Sequence, residues 1–280
     1  MGRTSQCRPA ATLVATTASG SDAQVQRQNP VSKDDLRGRI VVITRPAGTA
    51  AALARRVRAG GGTPLLLPGL ALRRVVDERE AREGLQAALT DDLLIFSSPA
   101  AVRFAAALAP LRTPATVLAV GQVTARALRR HGIHAPLAPA RQDSEGLLDH
   151  PALQGLHGRR IALIGAPGGR GVLREQLVTR GATLRELHVY LRVAPRLDRR
   201  HADALLQLPP SALVLLSSAE ALHNLCRILP PAALARLLAA TAVVSSERLA
   251  TAARSAGFAH IALAASALSA DLLGAAMRAD

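Results

Sequence analysis

The sequence predicts an α/β fold built on parallel sheets, and three observations carry this prediction. Short apolar runs of strand length alternate with stretches of about 10–15 residues rich in Ala, Leu and Arg, which is the pattern of crossover units. Hydrophobic residues make up 49% of the 280, but there are only one Tyr, three Phe and no Trp. The core is therefore aliphatic, which suits helices packed on buried strands. The third observation is an internal repeat, described below.

The regular pattern begins at Gly38. Residues 39–44 read as a buried strand, and residues 50–59 read as a helix that stops at Gly60. Further strands are predicted at residues 65–67, 93–96, 116–120, 161–164, 184–190, 213–216, 242–244 and 260–263, with a loop at 108–114. Residues 1–37 are rich in Ser, Thr, Gln and Ala and lack periodicity, and we expect a disordered extension there rather than a signal peptide.

The repeat becomes visible when the two halves are aligned. Leu-Leu-Ile-Phe-Ser-Ser at 93–98 returns as Leu-Val-Leu-Leu-Ser-Ser at 213–218, an offset of 120. The segment 121–132 returns at 246–257 with an offset of 125, and Gly38 and Gly158 open the two copies. A near-constant offset over several elements indicates a duplicated, doubly wound unit.

The charge is unusual because the net +15 comes almost entirely from arginine, with Lys33 as the only lysine. This disfavours a Schiff-base lysine and a phosphate loop ending in Gly-Lys-Ser/Thr. The arginines indicate either a solvated basic surface or an anionic partner. Nucleic acid is the weaker choice of partner, because no aromatic residues are interleaved with the arginines to stack bases.

Cysteine and histidine usage argues against a metal centre and a disulfide framework. Cys7 and Cys226 are the only cysteines, and His131 and His134 read as surface residues at a helix end. No apolar stretch approaches the ~20 residues that span a bilayer. We therefore expect a soluble, cytoplasmic protein with no metal and no membrane association.

Candidate binding loops follow the predicted strands, since ligands of open parallel sheets bind beyond the carboxyl ends of the strands. These loops are the pairs Ser97-Ser98 and Ser217-Ser218, the turn from Gly121 to Thr124, and the glycine-rich loop 165–171. The serines also suit helix capping, which is compatible with binding. The glycine-rich loop lets amides approach an anion but departs from the dinucleotide fingerprint. None of these loops supplies an acid–base pair or an activated nucleophile.

Taken in order, these residues resemble the uroporphyrinogen-III synthase family over roughly residues 38–280. The matching segments are 42–46, 94–99, 120–128, 144–148, 166–171, 180–182 with 189–190, and 216–218. The resemblance implies a lyase of porphyrin and haem biosynthesis that cyclises hydroxymethylbilane to uroporphyrinogen III, with inversion of the last pyrrole ring, loss of water, and no cofactor or metal. It also implies a cleft rich in arginine that receives eight carboxylates.

The resemblance also implies an architecture of two flavodoxin- or Rossmann-like domains joined by a two-stranded connector. Domain one would comprise residues 38–70 plus 194–280, and domain two residues 72–192. The connector would lie near 70–73 and 191–193, with the substrate in the cleft between the domains. The protein would be a monomer, with hydroxymethylbilane synthase as a candidate upstream partner.

The resemblance then assigns the site. Tyr190, the only tyrosine, matches the active-site tyrosine of the family and acts either as a proton donor or as a packing residue; Thr124 matches a substrate-contacting threonine. The family's second threonine is replaced by Leu249, so hydroxyls of Ser245 and Ser246 could serve instead. The full substrate-binding set is Arg45, Ser97, Ser98, Thr124, Gly168, Gly169, Arg170, Ser217, Ser218, Ser245 and Ser246.

Two alternatives stay open at this point. A nucleotide-dependent oxidoreductase would need a sound phosphate loop, which the segment 165–171 is not. A non-catalytic two-domain protein that binds an anionic small molecule would favour an export signal, which we do not expect in residues 1–37.

Overall fold

The computed structural model describes residues 36–141, 144–169 and 171–279. The strands of this part of the chain are β1 (Ile40–Ile43), β2 (Thr63–Leu66), β3 (Ala71–Arg74), β4 (Leu93–Phe96), β5 (Thr116–Ala119), β6 (Arg160–Gly165), β7 (Thr183–His188), β8 (Tyr190–Val193), β9 (Leu213–Leu215), β10 (Thr241–Val244) and β11 (Ile261–Leu263). Every strand predicted from the apolar runs is present, to within a few residues at its ends.

The helices connect these strands. They are α1 (Ala51–Ala59), α2 (Glu78–Ala88), α3 (Pro99–Leu108), α4 (Gln122–Arg130), α5 (Ser144–Leu148), α6 (Gly171–Thr179), α7 (Arg199–Leu206), α8 (Ala219–Ile228), α9 (Pro231–Leu238), α10 (Glu247–Ala256) and α11 (Ser269–Arg278), with a 3₁₀ turn at Pro151–Leu153. Within the described ranges, none of these helices combines the length and apolar character that crossing a bilayer requires.

Two parallel sheets form the framework of two α/β domains. The five-stranded sheet has the order β11-β10-β9-β1-β2, and the four-stranded sheet has the order β5-β4-β6-β7. Helices cover both faces of each sheet, so the central strands are buried on both sides and consist of continuous apolar runs. The carboxyl ends of all strands within one sheet lie along one edge, where the candidate binding loops follow.

The sheet order places the repeat in three dimensions. Shifting β4 and β5 by 120–125 residues gives β9 and β10, and shifting β1 and β2 by 120 gives β6 and β7. The orders β5-β4-β6-β7 and β10-β9-β1-β2 are then identical. Even β11 has a counterpart, because Leu137 forms an isolated parallel bridge to Leu118 in β5. The duplication inferred from the sequence therefore extends to every strand of the smaller sheet.

A two-stranded antiparallel ribbon connects the sheets. Here β3 pairs with β8, with Arg74 opposite Tyr190 and Ala71 opposite Val193. The sequence prediction joined residues 184–190 into one strand. The chain instead leaves the four-stranded sheet at Val189 and enters the ribbon at Tyr190, because the partner strand of Tyr190 lies in β3 and not in β6.

The segment before β1 already contributes to the core. Leu36 is fully buried beside Val57 and Gly62, although we expected it to belong to the disordered extension. The expected disorder of residues 1–35 lies outside the described residues.

Candidate active site

Loops at the carboxyl edges of both sheets line one cavity of about 900 Å³. From the four-stranded sheet come the loops after β4 and β5, and from the five-stranded sheet come the loops after β10 and β11. The lining residues are 97–99, 120–121, 123–124, 140–141, 245–246, 265–268 and 271. This volume is near the upper end of the usual range for small-molecule binding sites. We call this cavity the cleft.

The beginning of α4 forms one part of the cleft wall. Its N-cap residue is Gly121, which has extended backbone and provides no side-chain cap, so the first turn presents its amides without an acceptor from the cap. Thr124, in the same turn, is buried and lines the cleft. The positive end of the helix dipole and these N–H groups make the turn suitable for an anion.

Ser98 and Tyr190 form a hydrogen-bonded pair behind the same wall. Ser98 Oγ accepts the Ala101 amide of α3 at 3.0 Å and lies 3.2 Å from the hydroxyl of Tyr190. Tyr190 itself is only 5% exposed and stacks on Phe104, with ring centroids 5.3 Å apart. Ser98 lines the cleft and Tyr190 does not, so the phenol can reach the cleft through the serine hydroxyl.

The opposite wall comes from the five-stranded sheet. Ser246 caps α10 by accepting the Leu249 amide at 3.3 Å, and Ser245 precedes it in the lining. After β11, the Ser266 hydroxyl accepts the Leu268 amide and donates to the carboxylate of Asp271. This wall therefore combines serine hydroxyls with one acid.

The charges in the lining differ from the arginine-rich cleft that the resemblance implies. Among the described lining residues, Arg141 is the single arginine and Asp271 the single acid. Arg45 does not line the cleft; its guanidinium donates to the carbonyl of Ala267 at 3.3 Å, and burial lowers its pKa. The described wall presents mainly hydroxyls, amides and small apolar groups.

The glycine-rich loop forms a separate, smaller cavity of about 130 Å³ with Ser97. Gly168 and Gly169 have φ of 69° and 84°, a conformation that glycine adopts without strain. The guanidinium of Arg192, on β8, donates to the carbonyls of Pro167 and Gly168, each at 3.0 Å. Arg170, also a predicted site residue, lies outside the described residues.

The second serine pair lies outside the cleft lining. The Ser217 hydroxyl donates to the carbonyl of Thr44 at 3.3 Å, and its amide donates to the Thr44 hydroxyl at 3.0 Å. Ser218 caps α8 through the Ala221 amide. Glu220, in the first turn of α8, forms a 3.0 Å ion pair with Arg192 and so connects this loop to the glycine-rich loop.

Five of the predicted residues thus share the cleft: Ser97, Ser98, Thr124, Ser245 and Ser246. Arg141, Ser266 and Asp271 also line it and were missed, whereas Gly121, which lines it too, begins a turn that was predicted as a binding loop. The repeat itself carried part of this information, because adding 125 to 140–141 gives 265–266, and both pairs lie in the lining. Within the described ranges, no group of three or more His, Cys, Asp or Glu side chains is arranged as a metal site.

Comparison with known proteins gives a consistent result. Residues 51–273 match the family model described as uroporphyrinogen-III synthase HemD. The uroporphyrinogen-III synthase of Escherichia coli K12 is 31% identical over 238 residues, covering 80% of this chain and 94% of that protein. The Salmonella typhimurium uroporphyrinogen-III synthase is 32% identical over 241 residues, with the same coverage of each chain.

Solved structures share the fold. A mutant uroporphyrinogen III synthase of the extremely thermophilic bacterium Thermus thermophilus aligns with a TM-score of 0.56 at 23% identity, over 84% of this chain and 96% of that one. The uroporphyrinogen-III synthetase of Helicobacter pylori 26695 also aligns with a TM-score of 0.56, at 16% identity, over 85% of this chain and 98% of that one.

Proposed function

The chain belongs to the uroporphyrinogen-III synthase family, and we propose that it converts linear hydroxymethylbilane to uroporphyrinogen III in the cleft between its two sheets. The observation that carries this proposal is the shared cavity of about 900 Å³, to which equivalent loops of the two repeat copies contribute. The family match covers most of the chain and supports this reaction over the oxidoreductase and the non-catalytic binding protein.

The binding step uses hydrogen-bond donors more than fixed cations. Hydroxymethylbilane carries eight carboxylates, and the first turn of α4 with Thr124 offers amide and hydroxyl donors to one of them. Serines 97, 98, 245 and 246 supply further hydroxyls on both walls. When both walls hold the linear substrate, it is folded so that its two ends approach each other. Much of the entropy cost of ring closure is then met on binding and no longer adds to the barrier of the reaction.

The chemical step begins at the terminal hydroxymethyl group. Its C–O bond breaks, the oxygen leaves with the bonding electrons and takes a proton to become water, and the pyrrole nitrogen lone pair forms an exocyclic double bond. The resulting cation is attacked by the substituted α-carbon of the far terminal ring. The bond from that carbon to the neighbouring bridging methylene then breaks, its electrons return to the terminal ring, and the methylene becomes a second cation stabilised by the adjacent pyrrole nitrogen. The free α-carbon of the terminal ring bonds to this methylene and loses its proton, so that the ring is inverted. We assign Tyr190 as the donor of the first proton, through the Ser98 hydroxyl 3.2 Å away.

The domain boundaries that we propose are 38–70 plus 194–280 for one domain and 72–192 for the other. Their support is the sheet order, in which β1 and β2 lie beside β9 while β4 to β7 form the other sheet. The β3–β8 ribbon is then the only double crossing in the described chain and would be the hinge of cleft opening. We further propose that the protein acts as a cytoplasmic monomer that receives its substrate from hydroxymethylbilane synthase.

The test is a coupled reaction in which hydroxymethylbilane synthase supplies the substrate and the products are separated as type I and type III isomers. Hydroxymethylbilane closes spontaneously to the type I isomer, so the proposal predicts that the protein diverts the product to type III. Product that remains type I at every protein concentration would refute it.

A further inference from the structure

Asp271 is an acid in a cleft that must receive a polyanion. It is the third residue of α11, it is half-buried, and it is the only Asp or Glu among the described lining residues. Its carboxylate accepts a hydrogen bond from Ser266. Subtracting the repeat offset of 125 gives Gly146, so the other copy has no acid at this position.

A purely structural role explains only part of this placement. An acid in the first turn favours a helix through the helix dipole, and Leu268, the N-cap of α11, provides no side-chain cap. Glu247 gives the same benefit to α10, which follows the neighbouring strand, yet Glu247 does not line the cleft. Stabilising a helix start therefore does not require the acid to face the cleft.

Binding alone does not explain it either, since a carboxylate in the wall repels the carboxylates of the substrate. The reaction proposed above does create one positive charge, when the hydroxymethyl oxygen leaves and the pyrrole nitrogen becomes part of a delocalised cation. An anion fixed in the wall favours that state over the reactant, in which the same pyrrole is uncharged. This is the condition for catalysis, because the interaction is stronger in the transition state than in the ground state.

We propose that Asp271 is the counter-ion of the cationic pyrrole that forms when water leaves, and hence a catalytic residue. This inference rests on the proposed function. Ser266 holds the Asp271 carboxylate by the hydrogen bond described above, and the proton for the leaving oxygen comes from elsewhere.

The decisive variant is Asp271→Asn, which removes the charge and keeps the size. We expect kcat to fall at least tenfold with KM unchanged or lowered, because a repulsive charge is removed from the binding site while the cation loses its partner. The fraction of type I product should rise in the coupled reaction. Asp271→Glu, which keeps the charge, should recover most of the rate.

The matched control is Glu247→Gln, which changes the net charge equally in the first turn of α10 and should leave kcat and KM within twofold. Equal kcat for Asp271→Asn and wild type, or the same losses in both variants, would overturn the proposal. If Asp271→Asn does not fold by circular dichroism, Asp271→Ser is judged by the same criteria. Wild-type protein that forms no type III isomer would refute the proposed function instead, so the two failures are distinguishable.

Discussion

The turns that begin α4 and α10 are equivalent in the repeat but differ in the hydrogen bonding of their first amides. Their N-cap residues, Gly121 and Ser246, have nearly the same backbone, with φ and ψ of −166° and 171° against −165° and 156°. In α10 the Ser246 hydroxyl accepts the Leu249 amide, whereas in α4 the glycine leaves the Thr124 amide without such an acceptor. One turn therefore has a side-chain cap from within the chain, and the other has none.

In a second pair of equivalent turns the caps are the same, and the difference lies in a further side-chain contact. Ser98 and Ser218 have almost identical backbone and cap α3 and α8 with the same 3.0 Å hydrogen bond. Ser98 also contacts the Tyr190 hydroxyl and lines the cleft, while Ser218 does neither. In this pair the duplicated fold supplies equal capping to both copies, and the further contact of one side chain distinguishes them.

The largest effect is expected from making the α4 turn resemble the α10 turn. The double variant Gly121→Ser, Thr124→Val gives the turn an internal acceptor and removes the cleft hydroxyl. Hydrogen bonds to a charged group contribute about 1.5–3 kcal/mol each, so kcat/KM should fall about 100-fold, or ~2.8 kcal/mol. Steady-state kinetics with hydroxymethylbilane measures this loss.

The control is the mirror change, Ser246→Gly. Since the Ser246 hydroxyl already accepts the Leu249 amide, its removal should lower kcat/KM less than fivefold and the stability by only a few tenths of a kcal/mol. Similar losses in the two turns would show that the repeat copies bind substrate equally.

A smaller effect is expected at Tyr190, the residue that distinguishes the Ser98 copy. If the phenol supplies the proton, Tyr190→Phe should lower kcat at least tenfold, or ~1.4 kcal/mol, and leave the unfolding temperature nearly unchanged, because the stacking on Phe104 remains. Phe104→Leu is the companion variant, which disturbs the stack and keeps the hydroxyl. A loss well below tenfold would leave Tyr190 with the packing role alone.

The sequence was sufficient to predict where the strands lie, because each strand is a short apolar run whose burial depends on local composition. It was not sufficient for the boundary at Val189, where an unbroken run of strand-forming residues passes from one sheet to another. That boundary depends on pairing with β3, more than 110 positions earlier along the chain. Periodicity reports the face of a strand and not its partner.

For the site, the residues fixed by backbone position were predictable and the long side chains were not. Ser98 and Thr124 follow strand ends, so their location follows from the topology. Arg45 and Arg192 also lie near strand ends, but their guanidinium groups reach carbonyls of Ala267 and Gly168. Where a flexible arginine reaches depends on neighbours that only the folded chain brings together.

The smallest effect is expected from removing the hydroxyls of the serine pair, a change that distinguishes helix capping from proton transfer. Ser98→Ala and Ser218→Ala each remove one N-cap hydrogen bond of the same length and should each lower the free energy of unfolding by about 1 kcal/mol. Only Ser98→Ala breaks the link between Tyr190 and the cleft, so it alone should lower kcat, by roughly fivefold, or ~1 kcal/mol. Denaturant unfolding and steady-state rates on the same preparations check both parts. Because the stability losses match, a difference in rate reports the proton path and not the helix, and equal rates would assign both serines to capping alone.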